Sequence, residues 1–235
     1  MNKHADSPAK PASQDSIKAW FITGTDTGVG KTFVTCALLH ALKSRNIKAV
    51  GMKPVASGTD ENGKNEDVEL ITVASSITVS RELINTYLFH PPIAPHIAAA
   101  KTSVFIEIPK IISAFNALCE IATVILVEGA GGLHVPLGPR EDTADLIQQL
   151  GLPVIMVVGM RLGCINHALL TEKAIRAKDL PMAGWVANCI DPEMACFEEN
   201  LEALEARINA PLLGVVPPRC TPELAATYLA LPGFE

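Results

Sequence analysis

The feature of this chain that most constrains its fold is a glycine-rich segment, residues 24–32 (GTDTGVGKT), which follows a short apolar run and precedes a segment of helical period. A strand, a glycine-rich loop and a helix start in this order are the context of a phosphate-binding loop. The glycines let successive backbone N–H groups converge on phosphate oxygens, and the helix N-terminus adds a favourable dipole. We therefore predict that residues 24–32 bind phosphate, with Lys31 reaching the outer phosphates and the Thr32 hydroxyl coordinating magnesium. The alternative is a tight strand-to-helix turn with an exposed lysine.

The spacing of this segment departs from the usual pattern at one position. In the pattern G-x-x-x-x-G-K-[ST] the first glycine would stand where this chain has Thr25, and Gly24 lies one residue too early. The remainder, residues 28–32, has the usual spacing and follows a predicted strand. This agreement favours phosphate binding over a purely structural turn.

Short runs rich in β-branched residues alternate with longer helical segments along the rest of the chain. Each run is almost continuously apolar, which is typical of parallel strands buried on both faces. The predicted strands are residues 19–23, 49–53, 123–128, 154–158, 183–188 and 212–216. The predicted helices are residues 31–44, 67–75, 104–121, 143–150, 165–178 and 193–208. The sequence therefore predicts an α/β fold, a single doubly wound, mostly parallel sheet with helices on both faces, of the P-loop NTPase type.

Three residues are expected to mark helix starts. Thr143 is expected to cap the helix that follows it, and Pro192 to lie in a first helical turn. Asp67, taken as an isolated residue, is also expected to act as a helix cap.

Length and composition favour one domain and exclude several classes of protein. Residues 1–16 are polar and rich in proline, alanine and serine, so we expect a disordered tail followed by one domain over residues 17–235. The net charge of −6 argues against a nucleic-acid partner or an anionic membrane surface. No apolar run reaches the roughly 18 residues that span a bilayer. The six cysteines include no C-x-x-C pair, so we expect reduced thiols in a cytoplasmic protein.

Polar residues also follow the other predicted strands, where ligands of such sheets gather. Glu128 ends a strand and is followed by glycines at positions 129, 131 and 132, through which the backbone can approach phosphate closely. A carboxylate at this position is expected to serve the magnesium ion, since such sites need a hard oxygen ligand besides the loop hydroxyl. Lys53 ends another strand and is either a second cation facing the phosphates or a solvated surface lysine.

Together these segments resemble dethiobiotin synthetase. The resemblance rests on TGTDT at 23–27, VGKT at 29–32, KPVASG at 53–58, VEGAGG at 127–132, LGCINHA at 162–168 and AGWVAN at 183–188. These motifs occur in order, and the similarity extends from about residue 18 to 218. Motifs in series with compatible spacing are far more specific than any one of them.

The resemblance implies an ATP-dependent cyclo-ligase that joins CO2 to 7,8-diaminononanoate and yields dethiobiotin, ADP and phosphate. One amine takes up CO2 as a carbamate, ATP phosphorylates the carbamate, and the second amine closes the ureido ring by displacing phosphate. By this resemblance ATP is the co-substrate and Mg2+ the cofactor.

The same resemblance assigns roles to individual residues. Lys53 and Lys31 would be catalytic, and magnesium would be held by Thr32, Asp67 and Glu128. The residues assigned to the nucleotide are Gly28, Val29, Gly30, Lys31, Thr32, Phe33, Asp67, Glu128, Gly129, Ala130, Gly131, Asn188, Cys189, Val216, Pro217 and Pro218. The residues assigned to the substrate are Thr27, Ser57, Leu162, Gly163, Cys164, Ile165 and Asn166.

Residues 162–166 are expected to open a helix, whose N-terminal amides suit the substrate carboxylate. The resemblance implies that this segment reaches the substrate of the neighbouring subunit, so the active site would lie at a homodimer interface. The alternative is a helix-start turn with Cys164 packed inside. Alanine at Lys31 or Lys53 is expected to abolish ring formation and leave the fold intact, because both are expected on exposed loops.

Two other functions are compatible with parts of the sequence. A regulatory ATPase of the partition type would bind a protein partner, but its signature lysine within the phosphate loop is missing, since positions 26 and 27 are Asp and Thr. A GTP-binding module would use the N-x-x-D pattern of Asn188 and Asp191, but the lysine usual at its second position is replaced by Cys189.

Overall fold

A computed structural model of the chain describes residues 17–234. The strands are β1 (Lys18–Gly24), β2 (Ala49–Met52), β3 (Val55–Ser57), β4 (Tyr87–Phe89), β5 (Val124–Glu128), β6 (Val154–Gly159), β7 (Met182–Asn188) and β8 (Leu212–Val216). The helices are α1 (Lys31–Ser44), α2 (Glu66–Ala74), α3 (Arg81–Ile84), α4 (Pro95–Lys101), α5 (Ile108–Cys119), α6 (Thr143–Leu150), α7 (Cys164–Ala177), α8 (Phe197–Glu205) and α9 (Pro222–Ala225). The tail predicted for residues 1–16 lies outside the described residues.

Six of the strands form one sheet in the order β2-β5-β1-β6-β7-β8, and every pairing in it is parallel. The strands β3 and β4 form a separate parallel pair. This arrangement confirms the predicted fold class. Within the described residues, no helix is both long enough and apolar enough to cross a membrane.

Helices cover both faces of the sheet, as the alternation along β1 illustrates. Phe21 packs into the layer formed with α5, α6, α7 and α8. Trp20 and Ile22 point the other way, into the layer formed with α1, α2 and α9. Since both faces are covered, every residue of β5 and β6 is buried, which is why these strands appear in the sequence as continuous apolar runs.

The helix starts expected at Thr143 and Pro192 are wrong. Asp142, not Thr143, caps α6, because its side chain accepts from the Asp145 N–H at 3.1 Å while Asp145 accepts from the Asp142 N–H at 2.9 Å. Pro192 lies in a turn, and α8 begins only at Phe197. The long predicted helix 104–121 also begins late, at Ile108, with a proline in its first turn.

The segment between α2 and α5 contains three of the elements that the sequence pattern missed, α3, β4 and α4, and it fixes the backbone at Lys53. The buried side chain of Asn85 donates to the carbonyl oxygens of Lys53 at 2.7 Å and Tyr87 at 3.1 Å. The Lys53 N–H in turn donates to the Ile84 carbonyl at 2.8 Å. Backbone groups on both sides of the Lys53 side chain are therefore held by the α3–β4 junction.

We expect Asn85→Ala to lower the free energy of unfolding by about 2 kcal/mol, since it leaves two buried carbonyl oxygens without their donor. Urea denaturation checks this value. Asn200→Ala is the matched control, because the Asn200 amide donates to a single carbonyl at an exposed position. Equal free energies of unfolding for the two variants would contradict the claim that the Asn85 side chain holds the backbone at Lys53.

Candidate active site

Three neighbouring strands end at the same edge of the sheet and bring together residues that are far apart in the sequence. The phosphate loop, residues 24–32, follows β1, Lys53 follows β2, and Glu128 is the last residue of β5. Because β5 lies between β2 and β1, Glu128 stands between the lysine and the loop. This edge is where ligands of open α/β sheets bind.

A compact cluster of charges lies at this edge. The Lys53 ammonium donates to Glu128 Oε1 at 2.6 Å and approaches Asp67 Oδ2 at 2.8 Å. The Thr32 hydroxyl donates to the same Glu128 oxygen at 2.7 Å. The buried Glu128 carboxylate thus connects Thr32, in the first turn of α1, to Lys53, which follows the neighbouring strand β2.

Lys31 and Lys53 are buried, with exposed fractions of 7% and 5%, so the expectation that both stand on exposed loops is wrong. Lys31 is the first residue of α1, and its side chain turns back towards the loop. Lys53 contacts Glu128, whose exposed fraction is 0%. A charge is stable at such depth only beside an opposite charge. Substitution of Lys53 therefore affects stability as well as chemistry.

Asp67 does not cap α2. The cap is Asn65, whose side chain accepts from the Val68 N–H at 3.1 Å. Asp67 lies in the first turn, and its carboxylate pairs with Lys53.

The pKa values of this cluster follow from burial and pairing. Burial acts to lower the pKa of Lys53, but the Glu128 and Asp67 carboxylates outweigh it, and the pKa lies above its ordinary value. Burial acts to raise the pKa of Asp67, but Lys53 outweighs it, and the pKa lies below its ordinary value. Lys53 and Asp67 therefore both carry their charge at neutral pH.

Lys31 behaves differently from Lys53. Its ammonium donates to the Asp26 backbone carbonyl at 2.9 Å. Burial lowers the pKa of Lys31 from 10.5 to about 8, the Glu128 carboxylate opposes this decrease, and the Lys53 ammonium adds to it. An anion bound in the loop would give this lysine a nearby opposite charge.

The shifted glycine of the phosphate loop has a packing reason. A Cβ atom on Gly24 would lie 2.7 Å from Val29 Cγ2 and 3.0 Å from Lys31 Cγ, because the loop folds back over the end of β1. Gly30 has a φ of +87°, and a Cβ atom there would lie 2.1 Å from the Asn188 amide nitrogen. These are the two points of the loop at which the backbone admits no side chain.

Glu128, Asp67 and Thr32 form a set of hard oxygen donors that suits magnesium. Glu128 Oε2 is buried and has no hydrogen-bond partner among the described residues, so it offers a free acceptor. Magnesium needs only one or two protein carboxylates when substrate phosphates supply further oxygens. Accordingly, residues 17–234 contain no cluster of three or more histidines, cysteines or acids that would enclose a metal alone.

A cleft of about 480 Å3 opens beside this cluster. It is lined by Thr27, Lys53, Ser57, Asp67, Pro92, Ile93, Ala94, Pro95, Ala130, Gly131 and Val135. The Ser57 hydroxyl oxygen is buried and has no partner within the described part of the chain. The apolar wall at residues 92–95 is marked in the sequence only by a proline-rich apolar stretch at the start of α4.

Four of the residues assigned to the nucleotide, Asn188, Cys189, Pro217 and Pro218, lie at or just after the ends of β7 and β8. Asn188 is buried, and its amide donates to the Val29 carbonyl at 2.9 Å, which ties the end of β7 to the phosphate loop. Cys189, Pro217 and Pro218 line a second cavity of about 320 Å3 with an almost wholly apolar wall. Asp191, which belongs to the N-x-x-D pattern, and Pro192 also line it, together with Met194, Phe197 and Val215, which the sequence did not indicate. Among the residues assigned to the nucleotide, Phe33 is partly buried and packs on the layer that contains α1.

Residues 162–166 stand apart from the cleft of their own chain. Leu162 is 94% exposed and Gly163 is exposed, whereas Cys164 is buried at the start of α7. None of the five residues lines the 480 Å3 cleft. Cys164 is therefore packed inside, as the alternative expectation for this segment has it, whereas the expected contact with the substrate of a neighbouring subunit stays a prediction.

Comparisons with known proteins identify the family of this chain. Residues 18–223 match the family described as an AAA domain. The ATP-dependent dethiobiotin synthetase BioD of Nitrosospira multiformis is 59% identical over 85% of this chain and 88% of its own length. The protein of the same name from Aromatoleum aromaticum is 54% identical over 92% and 98%, and that from Janthinobacterium sp. is 47% identical over 89% and 92%.

Solved structures with low sequence identity share the fold. A ParA family ATPase from Chlorobium tepidum superposes with a TM-score of 0.56 and 14% identity, covering 87% of this chain and 85% of that one. The MinC:MinD cell division complex of Aquifex aeolicus gives a TM-score of 0.52 and 17% identity, covering 85% and 81%. At this level of identity the likeness extends to the fold alone.

The lowered pKa of Lys31 predicts a pH dependence for nucleotide binding. As the pH rises through about 8, the ligand-free protein loses the Lys31 proton, so we expect the affinity for ATP to fall progressively between pH 7.5 and 9.5. Calorimetric titration across this range measures the effect. In Lys31→Arg the fall should be absent, because arginine keeps its charge; an equal fall in both proteins would contradict the assignment.

Proposed function

The chain belongs to the ATP-dependent dethiobiotin synthetase family and closes the ureido ring of dethiobiotin at the expense of ATP, and we propose that the Lys31, Lys53, Asp67 and Glu128 cluster is its reaction centre. The observation that carries this proposal is the pair of contacts from Lys53 to Glu128 and Asp67 beside the phosphate loop. Lys53 contacts two carboxylates there, and Lys31, near the end of the loop, adds a second cation, which supports binding of a terminal phosphoryl group at this point.

The triphosphate of ATP binds residues 24–32 in this proposal. Loop N–H groups and the N-terminus of α1 face the phosphates, and Lys31 exchanges its contact with the Asp26 carbonyl for one with a phosphate oxygen. The base enters the apolar cavity beside Cys189, Pro217 and Pro218. Asn188 supports this arrangement, because it holds the base cavity and the phosphate loop at a fixed separation.

Ring closure then takes three steps at the cleft. One substrate amine adds to CO2 and loses a proton, giving a carbamate. A carbamate oxygen attacks the terminal phosphorus of ATP, and ADP leaves, giving a carbamic–phosphoric anhydride. The second amine attacks the carbamoyl carbon, the C–O bond to phosphate breaks, and phosphate and a proton are released as the ureido ring closes.

The lysines act mainly on the second step. Phosphoryl transfer concentrates negative charge on the oxygens between the carbamate and ATP, and fixed cations at that point stabilise the transition state. Lys53 keeps its charge at neutral pH because of its two carboxylate neighbours. Its backbone is held by Asn85, so little reorganisation is needed when the charge develops.

Thr32, Asp67 and Glu128 would hold magnesium at this centre. When bound, the ion supplies positive charge that neutralises and orients the terminal phosphates. The free, buried Glu128 Oε2 supports this role, because a buried carboxylate oxygen without a partner is otherwise unfavourable.

The cleft suits the diamine in shape and polarity. Its apolar wall at residues 92–95 and Val135 can pack against the alkyl chain, and Thr27 and Ser57 provide hydroxyl groups near Lys53. The buried Ser57 hydroxyl supports a contact with the reacting carbamate. An apolar wall also excludes water, which would otherwise hydrolyse the anhydride.

We further propose a homodimer in which residues 162–166 reach the partner's substrate carboxylate. The N-terminus of the 14-residue helix α7 presents backbone N–H groups to an anion. The exposure of Leu162, and its absence from the cleft of its own chain, support a role across an interface. All six cysteines are unpaired, which supports a reducing compartment and therefore the cytoplasm.

The partition-type ATPase is not favoured. Its structural likeness to this chain extends to the fold alone, whereas the relatives above 45% identity carry the synthetase name.

The direct test is to incubate the protein with the diamine, bicarbonate, magnesium and ATP and to detect dethiobiotin by mass. Phosphate release should require both the diamine and bicarbonate, and release that needs only a protein or DNA would overturn the function.

We expect Lys53→Met to lower kcat by about 100- to 1000-fold, the usual effect of removing a fixed donor from a developing oxyanion. Because the change also leaves Glu128 buried beside no cation, thermal unfolding and ATP binding are measured in parallel, and Lys53→Arg serves as the charge-preserving variant. Lys178→Met is the matched control, since Lys178 pairs with Asp145 at 2.9 Å away from the centre. Turnover of Lys53→Met equal to that of the control would refute the assignment.

The shared active site predicts complementation between inactive variants. Leu162→Glu, which puts a negative charge beside the proposed carboxylate site, should be nearly inactive, as should Lys53→Met. Co-folded in equal amounts, the two should recover about a quarter of the wild-type activity, because half of random dimers are mixed and each has one intact site.

A mixture of Lys53→Met with Lys31→Ala is the control for complementation. Both substitutions lie in the same half of the site, so mixed dimers contain no intact centre and should stay inactive. Recovery in this control, or none in the Leu162→Glu mixture, would contradict a site built from two subunits.

A further inference from the structure

Asp26, in the phosphate loop, makes hydrogen bonds that neither the proposed metal site nor the substrate cleft explains. Its Oδ1 accepts from the Thr27 N–H at 2.7 Å, and its backbone carbonyl accepts from Lys31 Nζ at 2.9 Å. Its Oδ2 accepts from Arg161 Nη2 at 2.8 Å. The orientation of this single residue therefore governs the start of the loop and the resting position of Lys31.

Arg161 lies in the connection between β6 and α7, whose backbone is held by hydrogen bonds. It follows Met160, whose N–H donates to the Asn188 carbonyl at 2.8 Å, and its own carbonyl accepts from the Cys164 N–H at 3.0 Å. The strand before it, β6, pairs with β1 as far as Gly24. The guanidinium thus reaches the loop from a backbone fixed on both sides.

The charge of Asp26 is unfavourable for the proposed use of the loop. A carboxylate among groups that must receive a polyanion repels that anion unless a cation neutralises it. The Arg161 guanidinium is the group that pairs with this carboxylate. Since the side chains of Asp26 and Arg161 are 45% and 43% exposed, the ion pair adds little to folding stability. The Asp26–Arg161 ion pair instead changes the net charge of the loop and holds the position of Asp26.

We propose that Arg161 is a positioning residue for ATP, which neutralises Asp26 and holds the phosphate loop in the conformation that receives the triphosphate. Arg161 acts on the loop through Asp26 and Lys31 and does not itself contact the reacting atoms. This proposal rests on the proposed function only in that residues 24–32 bind ATP. It is therefore tested by ATP binding in the absence of the diamine, independently of ring closure.

The experiment compares Arg161→Met, Arg161→Lys, Asp26→Asn and the double variant Asp26→Asn/Arg161→Met with the wild-type protein. Calorimetry gives the Kd of MgATP, steady-state assays give KM for ATP and kcat, and thermal unfolding gives Tm. Arg176→Met is the matched control, because Arg176 pairs with Glu172 at 3.2 Å on the surface of α7.

We expect Arg161→Met to raise the Kd and KM for ATP about tenfold, while kcat at saturating ATP stays within about twofold, because a charge-assisted bond is lost outside the reacting centre. Arg161→Lys should recover part of the affinity, since lysine restores the charge without the planar guanidinium. The double variant should bind ATP within about threefold of wild type, because the unpaired carboxylate is then gone.

Three results would overturn the proposal. They are an ATP Kd for Arg161→Met equal to that of Arg176→Met, additive losses in the double variant, and a fall in Tm that alone accounts for the loss of binding. If Arg161→Met does not fold, Arg161→Lys and the double variant decide the question by the same comparison. A wild-type protein that binds ATP but makes no dethiobiotin would refute the proposed function and leave this inference standing.

Discussion

Much of the active-site edge depends on the burial of one carboxylate, that of Glu128, at the end of a central strand. A charge removed from water needs opposite charge and hydrogen-bond donors beside it. Lys53 supplies the charge, and Thr32 supplies a donor from the first turn of α1. The strands β2 and β5 and the start of α1 are therefore fixed relative to one another by electrostatics as well as by packing, and Asp67 adds α2 to the same group.

The phosphate loop shows how packing modifies a familiar pattern. Its first glycine is displaced because Val29 and Lys31 fold back onto Gly24, so the close approach occurs at the end of the strand itself. Gly30 lies so close to the Asn188 amide that the loop and β7 form one unit. The phosphate loop and the cavity beside Cys189 are thereby linked through the sheet instead of through a flexible connection.

The sequence predicted the regular sheet well, because strands buried on both faces appear as continuous apolar runs. It did not predict β3, β4, α3 or α9, since three or four residues are too few to display a period, and it also missed the seven-residue helix α4. Lys53 was expected to be exposed because single lysines usually are; its burial depends on Glu128, a partner 75 residues away. The apolar wall at residues 92–95 was not predicted, because these residues include no charged side chain and have no helical or strand periodicity.

The order of strands in the sheet has a consequence for how the protein forms. The strand β1 is translated early, yet both of its neighbours, β5 and β6, begin more than 100 residues later. At synthesis rates of about 5–20 residues per second, this central strand waits roughly 5–20 s for β5 and roughly 7–27 s for β6. Such long-range parallel pairing is intrinsically slow. The nascent chain therefore exposes an apolar segment throughout that interval, and it is at this stage that a chaperone would have most to protect.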